Sequence, residues 1–259
     1  MYRSVVVALL LLCGCAGGSI SAPSVEASKA ISGARTVGVI SAVGSKFAIQ
    51  KVGITVFGNE LKEVPIGSWR LDDAVAGRVS AALGKRFTVR RIAAREGAFA
   101  AYDSSTAAFG DSDAALQGAV RKLAQSAKCD LYIVVTRAGI SFSGTNQVVS
   151  GIGMVEGGGA LNPDNVTLYA VTAVHLYDGR TFERLLWRRP AFSIGGSIGN
   201  VVNAPHRRLD RTWWPATPQA VHREKYKAAT RALLADSIAA TVPEIMGVKG
   251  VERRKKGGA

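Results

Sequence analysis

From residue 35 onward the chain alternates between two hydrophobic periods. In "RTVGVISAVGSKFAIQKVGITVFGNELKEVPI" β-branched and aromatic residues are broken by Gly44 and by Gly58-Asn59, which predicts two or three strands joined by tight turns. "GSWRLDDAVAGRVSAALGKR" follows, with Leu71, Val75, Val79 and Leu83 at every fourth position, the apolar face of a helix. Ser68 is its expected N-cap, Asp72 and Asp73 fall in its first turn, and Gly84 with Lys85-Arg86 marks its end. "FTVRRI" reads as a strand. A second helix is predicted over 113–127, burying Leu116, Val120, Leu123 and Ala127, and it feeds the apolar run "DLYIVV", expected to be a central strand.

Beyond a glycine-rich stretch from Gly139 to Asn165, "VTLYAVTAVHLYDGRTFERLLWRR" alternates in its first half. Leu168, Ala170, Val174 and Leu176 share one face; Tyr169, Val171, His175 and Tyr177 share the other. Asp178-Gly179 predicts a hairpin turn, with a return strand over Leu185 to Trp187. The last helix is expected from Val221 to Thr241, with Tyr226, Leu233, Ile238 and Val242 inward and Arg223, Lys227 and Arg231 outward. The element order predicts an α/β fold of the α+β sandwich kind, one mixed sheet of about six to seven strands backed by three helices.

Before this pattern starts, an apolar run from Val5 to Leu12 follows Met1-Tyr2-Arg3. It falls short of the ~20 apolar residues of a membrane-spanning helix and has the dimensions of a secretory signal. Leu12-Cys13-Gly14-Cys15 then resembles the bacterial lipobox. Large leucines precede Cys13, so Cys15 is the residue the resemblance marks for cleavage and acylation. Ala16 stands where an aspartate marks inner-membrane retention in such lipoproteins, which favours the outer membrane and its periplasmic face. Two other readings of this end stay open: a metal or redox C-x-C pair, and plain secretion after Ala22. The expected organisation is a signal peptide over 1–14, a lipidated flexible tether over 15–34, one domain over 35–246 and a basic tail over 247–259.

With 33 basic and 19 acidic residues the net charge is +14, and loss of Arg3 with the signal peptide lowers it by one. Such a charge ordinarily suggests nucleic acid, a partner that export puts out of reach. The anionic candidates that remain are envelope lipids and polymers or an acidic protein, unless the charge is merely compositional. Cys129, in "AKCDLYIVV", would be the one free thiol of a mature chain, which excludes an intramolecular disulfide. It reads as a small buried hydrophobe.

The segments "VGVI", "LDDAVAGRVSAALGKRFTVRRI", "AVRKLAQSAKCDLYIVVTRAG" and "AVHLYDGRTFERLLWRR" are similar in layout to periplasmic domains of two lipoprotein families. These are the activators of penicillin-binding proteins and the curli-secretion lipoprotein. The resemblance implies a module that binds or assembles, and it carries over no site residue. The insert "GISFSGTNQVVSGIGMVEGGGALN" alternates too poorly to supply the two membrane strands of the pore-forming type.

One motif suggests catalysis. Gly195-Gly196-Ser197-Ile198-Gly199 matches a nucleophile elbow, and Asp210 and His222 follow in hydrolase order, giving a serine esterase as the alternative function. The helix that should follow the elbow is missing from the pattern. "FGDS" resembles the opening block of GDSL esterases but sits in mid-chain, where Asp111 reads as a helix cap. "GIGMVEG" puts Glu156 where a dinucleotide loop needs glycine, and His175, His206 and His222 lack metal spacing, so neither cofactor nor metal is expected. The strongest binding candidate is "HRRLDRTWWPATP". Arg207, Arg208 and Arg211 suit anionic groups, and Trp213 and Trp214 suit stacking, a membrane interface, or simply closing the sheet. The expectation is therefore a lipid-anchored, non-catalytic binding or adaptor module for an envelope protein or anionic polymer.

Overall fold

A computed structural model describes residues 23–53, 56–95, 97–105, 112–141, 147–157, 166–188 and 206–248. In chain order the elements are α1 (Val25–Gly33), β1 (Thr36–Ala42), β2 (Lys46–Val52), β3 (Glu60–Pro65), α2 (Leu71–Leu83) and β4 (Thr88–Ile92). Then come α3 (Ala100–Ser105), α4 (Ser112–Ala124), β5 (Leu131–Arg137), β6 (Gly139–Ser141), β7 (Val148–Ser150) and β8 (Ile152–Gly157). β9 (Val166–Ala170), β10 (Thr172–Asp178), β11 (Arg184–Arg188), β12 (His206–Leu209) and α5 (Glu224–Ile245) complete the described chain.

The class is α+β with mixed sheets, as the element order implies. The single sheet of six to seven strands is corrected to two five-stranded sheets, ordered β11-β10-β5-β1-β4 and β12-β9-β8-β2-β3, with β6-β7 as a separate hairpin. The two orders match line for line. β10 and β9 are nearly one continuous strand, β1 leads directly into β2, and β5 returns as β8 after the hairpin. The second sheet therefore continues the first across a waist. There the Ala138 and Gly151 amides donate to the Val171 and Ala138 carbonyls at 3.0 Å, and the Val171 amide donates to Gly151 at 2.7 Å. Gly44, expected in a tight turn between strands, carries the chain from β1 to β2 over this waist with φ 99°, where side-chain-bearing residues are strained. Gly58-Asn59 does close a hairpin, between β2 and β3.

In the first sheet β1 pairs in parallel with β4 and β5, while β10 and β11 are antiparallel. Alternation sorts the sheet's two faces. Val37, Val39, Leu131, Ile133, Val174 and Leu176 point into the main core with α2 and α5, and the second sheet adds Phe47, Ile49, Met154 and Leu168 to the same core. The opposite face offers Ile40, Tyr132, Val134 and Tyr177 to α3 and α4. Helices on both faces explain why "LYIVV" has no polar side: β5 is central and buried from Leu131 to Thr136. Asp130 anchors the entry of β1, since one of its carboxylate oxygens accepts from the Arg35 and Thr36 amides at 2.9 Å and from the Thr36 hydroxyl at 2.8 Å. Asp130→Ala is expected to cost about 1–2 kcal/mol, read as a lower urea midpoint at unchanged slope.

Several expectations are revised. The described residues hold five α-helices, not three. The tether read over 15–34 is helical from Val25: Ser24 caps α1 through the Ala27 amide at 3.1 Å, and Ile31 is buried in the main core. α2 is not capped by Ser68, because Gly67–Trp69 forms a 3-10 turn that buries Trp69 and leaves Arg70 as N-cap at φ 51°. α5 starts at Glu224, because Pro218–His222 is a 3-10 turn. Arg231, expected outward, donates to the Trp69 carbonyl at 2.7 Å and ties α5 to α2. Residues 1–22, including Cys13 and Cys15, and the tail from 249 lie outside the described residues.

Candidate functional site

Strand register assembles the site. One cross-strand row on the inner face of the second sheet runs Lys62, Ile49, Met154, Leu168, Arg207. The next runs Glu60, Lys51, Glu156, Val166, Leu209. Ile49, Met154 and Leu168 of the first row and Val166 and Leu209 of the second lie in the main core, while the charged members sit at the sheet's edges and, as Glu60, Lys51 and Glu156, at the end beside the β2–β3 turn. The chain leaving β12 folds back over this end. Asp210 starts the turn by accepting from the Thr212 amide at 2.9 Å and from the Thr212 hydroxyl, and those bonds hold its carboxyl below the usual carboxylate range. Trp214, Pro215, Ala216 and Pro218 then face Ile49, Lys51, Glu60 and Lys62 across a cleft of about 170 Å³.

The two tryptophans divide the roles expected of them. Trp213 is structural: its ring stands at 83° to Tyr226 with centroids 5.6 Å apart, and its carbonyl accepts from the Tyr226 hydroxyl at 2.8 Å. The Lys225 ammonium lies 4.7 Å from the Trp213 ring centre, a cation–π contact. Trp214 is half-buried and lines the cleft. Arg211 reaches the buried Glu156 at 3.5 Å, and Lys62 lies 3.5 Å from Glu60. Arg207, Arg208 and Lys51 are exposed and enter no ion pair among the described residues. Of the five residues singled out in "HRRLDRTWWPATP", Trp214 thus lines the cleft, Trp213 packs on Tyr226 behind it, Arg211 pairs with Glu156, and Arg207 and Arg208 lie on the exposed β12 edge.

Among the described residues, the two partners of the hydrolase reading, Asp210 and His222, are not hydrogen-bonded or ion-paired to each other. Ser197 lies outside the described residues. Asp210 is committed to Thr212, and His222 is exposed. Asp111 likewise falls outside the described residues. "GIGMVEG" is the strand β8, not a loop, with Glu156 facing Arg211. His175, His206 and His222 sit on β10, β12 and the turn before α5, and no cluster with metal-ligand character occurs among the described residues. Cys129 is buried, and desolvation pushes its thiol up, which leaves it a poor nucleophile.

Two polar clusters escaped the sequence pattern. At the carboxyl ends of β1 and β4, Asp72 accepts from the Ser41 hydroxyl at 2.7 Å and the Val43 amide at 3.0 Å, and burial still raises its pKa. Asp73 beside it binds both Arg70 and Arg91, and the group lines a cleft of about 230 Å³. The second cluster lies between the first sheet and α3. There the Thr136 hydroxyl sits 3.2 Å from His175 Nε2 and 3.4 Å from the Tyr102 hydroxyl. Only the first-turn position of Asp72 and Asp73 was visible beforehand, because their partners lie on other elements.

No family model matches the chain, and no curated protein matches it significantly. Among solved structures it is similar to a protein of Xanthomonas campestris assigned to the family DUF330, at 10% identity and TM-score 0.34, over 82% of this chain and 85% of that one. It is also similar to a hypothetical protein of Chlamydia trachomatis, at 9% identity and TM-score 0.27, over 80% of this chain and 99% of that one. The function must therefore be read from the site.

Proposed function

We propose that this protein is a membrane-anchored lipoprotein of the bacterial envelope, acylated on Cys15, and that it acts by binding. The proposed site is the cleft under Trp214 with Lys51 at its wall, on a protein anchored at the periplasmic face of the outer membrane. Its partner is an anionic envelope polymer or an acidic envelope protein.

The observation that carries this reading is the exposed Lys51, unpaired among the described residues, beside an aromatic and proline wall, with two further exposed cations, Arg207 and Arg208, on the β12 edge of the same sheet. Exposed guanidinium groups grip phosphate and carboxylate in bidentate fashion, and a tryptophan face takes a sugar ring or an apolar side chain. Neither group needs activation, and both are placed to hold a ligand rather than to transform it.

The test is recovery of partners by the lipidated protein from solubilised envelope, at low and at high salt. A ligand held by these cations is lost as salt rises. Arg207→Glu with Arg208→Glu should weaken recovery tenfold or more, about 1.4 kcal/mol, and flatten its salt dependence. Trp214→Ala should weaken binding at every salt concentration. Unchanged recovery in both variants would exclude this surface.

A further inference from the structure

We infer that the β2–β3 hairpin is a membrane-docking element, which seats Phe57 in the interface of an anionic lipid leaflet and so holds the anchored domain against it. The inference rests on the lipid-anchor reading and adds a second, non-covalent membrane contact to it.

The hairpin is built to project an apolar tip. Its neck is pinched where Gly53 meets Gly58: a Cβ on Gly53 would stand 2.7 Å from the Gly58 Cα, closer than any side chain allows. The Asn59 side chain closes the neck by accepting from the Gly53 amide at 3.0 Å. Beyond this neck Phe57 is 96% exposed. Leu61, the second residue of β3, is 60% exposed, and Val148 of the β6–β7 hairpin is 58% exposed. These two flank Gln50, which pairs with Leu61 and donates from its side chain to the Val148 carbonyl at 3.4 Å. Among the described residues, three of the five large exposed hydrophobic side chains therefore gather at one end of the second sheet.

Charge identifies the occupant. On the hairpin, Lys46 pairs with Glu63 and Lys62 with Glu60, which leaves Lys51 free beside the tip. Half-buried Trp214 lies across the cleft from Lys51 and Lys62. A projecting aromatic ring, flanking lysines and a nearby tryptophan form the pattern of residues that settle in the headgroup region of a bilayer. A stable protein interface needs about 800 Å² from each partner, more than three separated apolar side chains provide.

The experiment uses the full lipidated chain carrying Phe57→Cys labelled with an environment-sensitive dye, and Arg180→Cys labelled likewise as control. Arg180 lies at the β10–β11 turn, the opposite end of the continuous β9–β10 run. With vesicles containing phosphatidylglycerol, the dye at position 57 should shift to the blue and be quenched by brominated acyl chains, while the dye at 180 stays aqueous. Lys51→Glu should reduce that shift at least twofold, and phosphatidylcholine alone should give a smaller shift than the anionic vesicles. Flotation of the same samples tests the lipid anchor separately, since unlipidated protein fails to float yet its dye still responds to added vesicles. A dye at position 57 that remains in water with anionic vesicles, or one that shifts no more than the control at 180, overturns the inference.

Discussion

Acidification from pH 7 to pH 4 is expected to remove about 3 kcal/mol of stability through His175 alone. The side chain is 3% exposed, between Trp187 on β11 and Tyr177 on its own strand, and desolvation lowers its pKa to about 4. Arg184 nearby lowers it further, and Asp113, which Arg184 grips with both nitrogens at 2.6 and 2.5 Å, opposes that shift. Thr136 and Tyr102 complete its surroundings. An unfolded histidine takes its proton near pH 6.5, whereas the folded one resists until about pH 4. The loss therefore begins as pH falls through 6.5 and is complete below 4. The half-buried Asp72, whose pKa is raised by desolvation, works in the opposite sense, since the folded state takes its proton first. Urea midpoints from pH 7 to pH 4 for the wild type and for His175→Gln provide the check. The variant should start less stable and decline less. Parallel decline in the two proteins would mean that His175 takes its proton in the fold at the same pH as in the unfolded chain.

Replacing Tyr226 with alanine should destabilise the protein by about 3–5 kcal/mol and abolish binding at the Trp214 cleft. Tyr226 is almost fully buried on the first turn of α5, with its ring against Trp213 and its hydroxyl on the Trp213 carbonyl. Alanine leaves a cavity and frees the segment that roofs the cleft. Tyr226→Phe separates the two effects. It keeps the ring packing and costs about 1 kcal/mol for the lost hydrogen bond. If Trp213 fixes the roof chiefly through packing, Tyr226→Phe binds within a few-fold of wild type and Tyr226→Ala does not. Equal loss in both variants would assign the positioning to the hydroxyl.

How far each element was legible follows from how local its cause is. The four-residue spacing from Leu71 to Leu83 located α2, because one flank packs on the sheet and the other meets solvent. α5 was harder to delimit, since it lies against both the sheets and α2 and buries Thr230, Ser237 and Thr241 along with its apolar residues. α1 hid in a small, polar stretch and holds on through Ala27 and Ile31. The candidate site was half legible. The arginines and tryptophans of "HRRLDRTWWPATP" stand out as residue types, but Lys51, Glu60 and Lys62 lie about 150 positions earlier and look like any solvated strand edge.

What the sequence determined by itself was the helices with a clear apolar stripe, α2 and α4, and the strands with a clear alternation or apolar run, because helix and strand periods depend on neighbours a few positions away. It also supplied the excess of positive charge and the lipobox-like start, which are matters of composition and short motif. The tertiary structure alone decided that one expected sheet becomes two, joined at Gly44, Ala138 and Val171. "VTLYAVTAVHLYD" reads as one unbroken alternating strand, and nothing in its pattern marks Val171 as the residue where it passes from one sheet to the other. That break depends on which strands lie alongside, and strand pairing between distant segments leaves no trace in a local period.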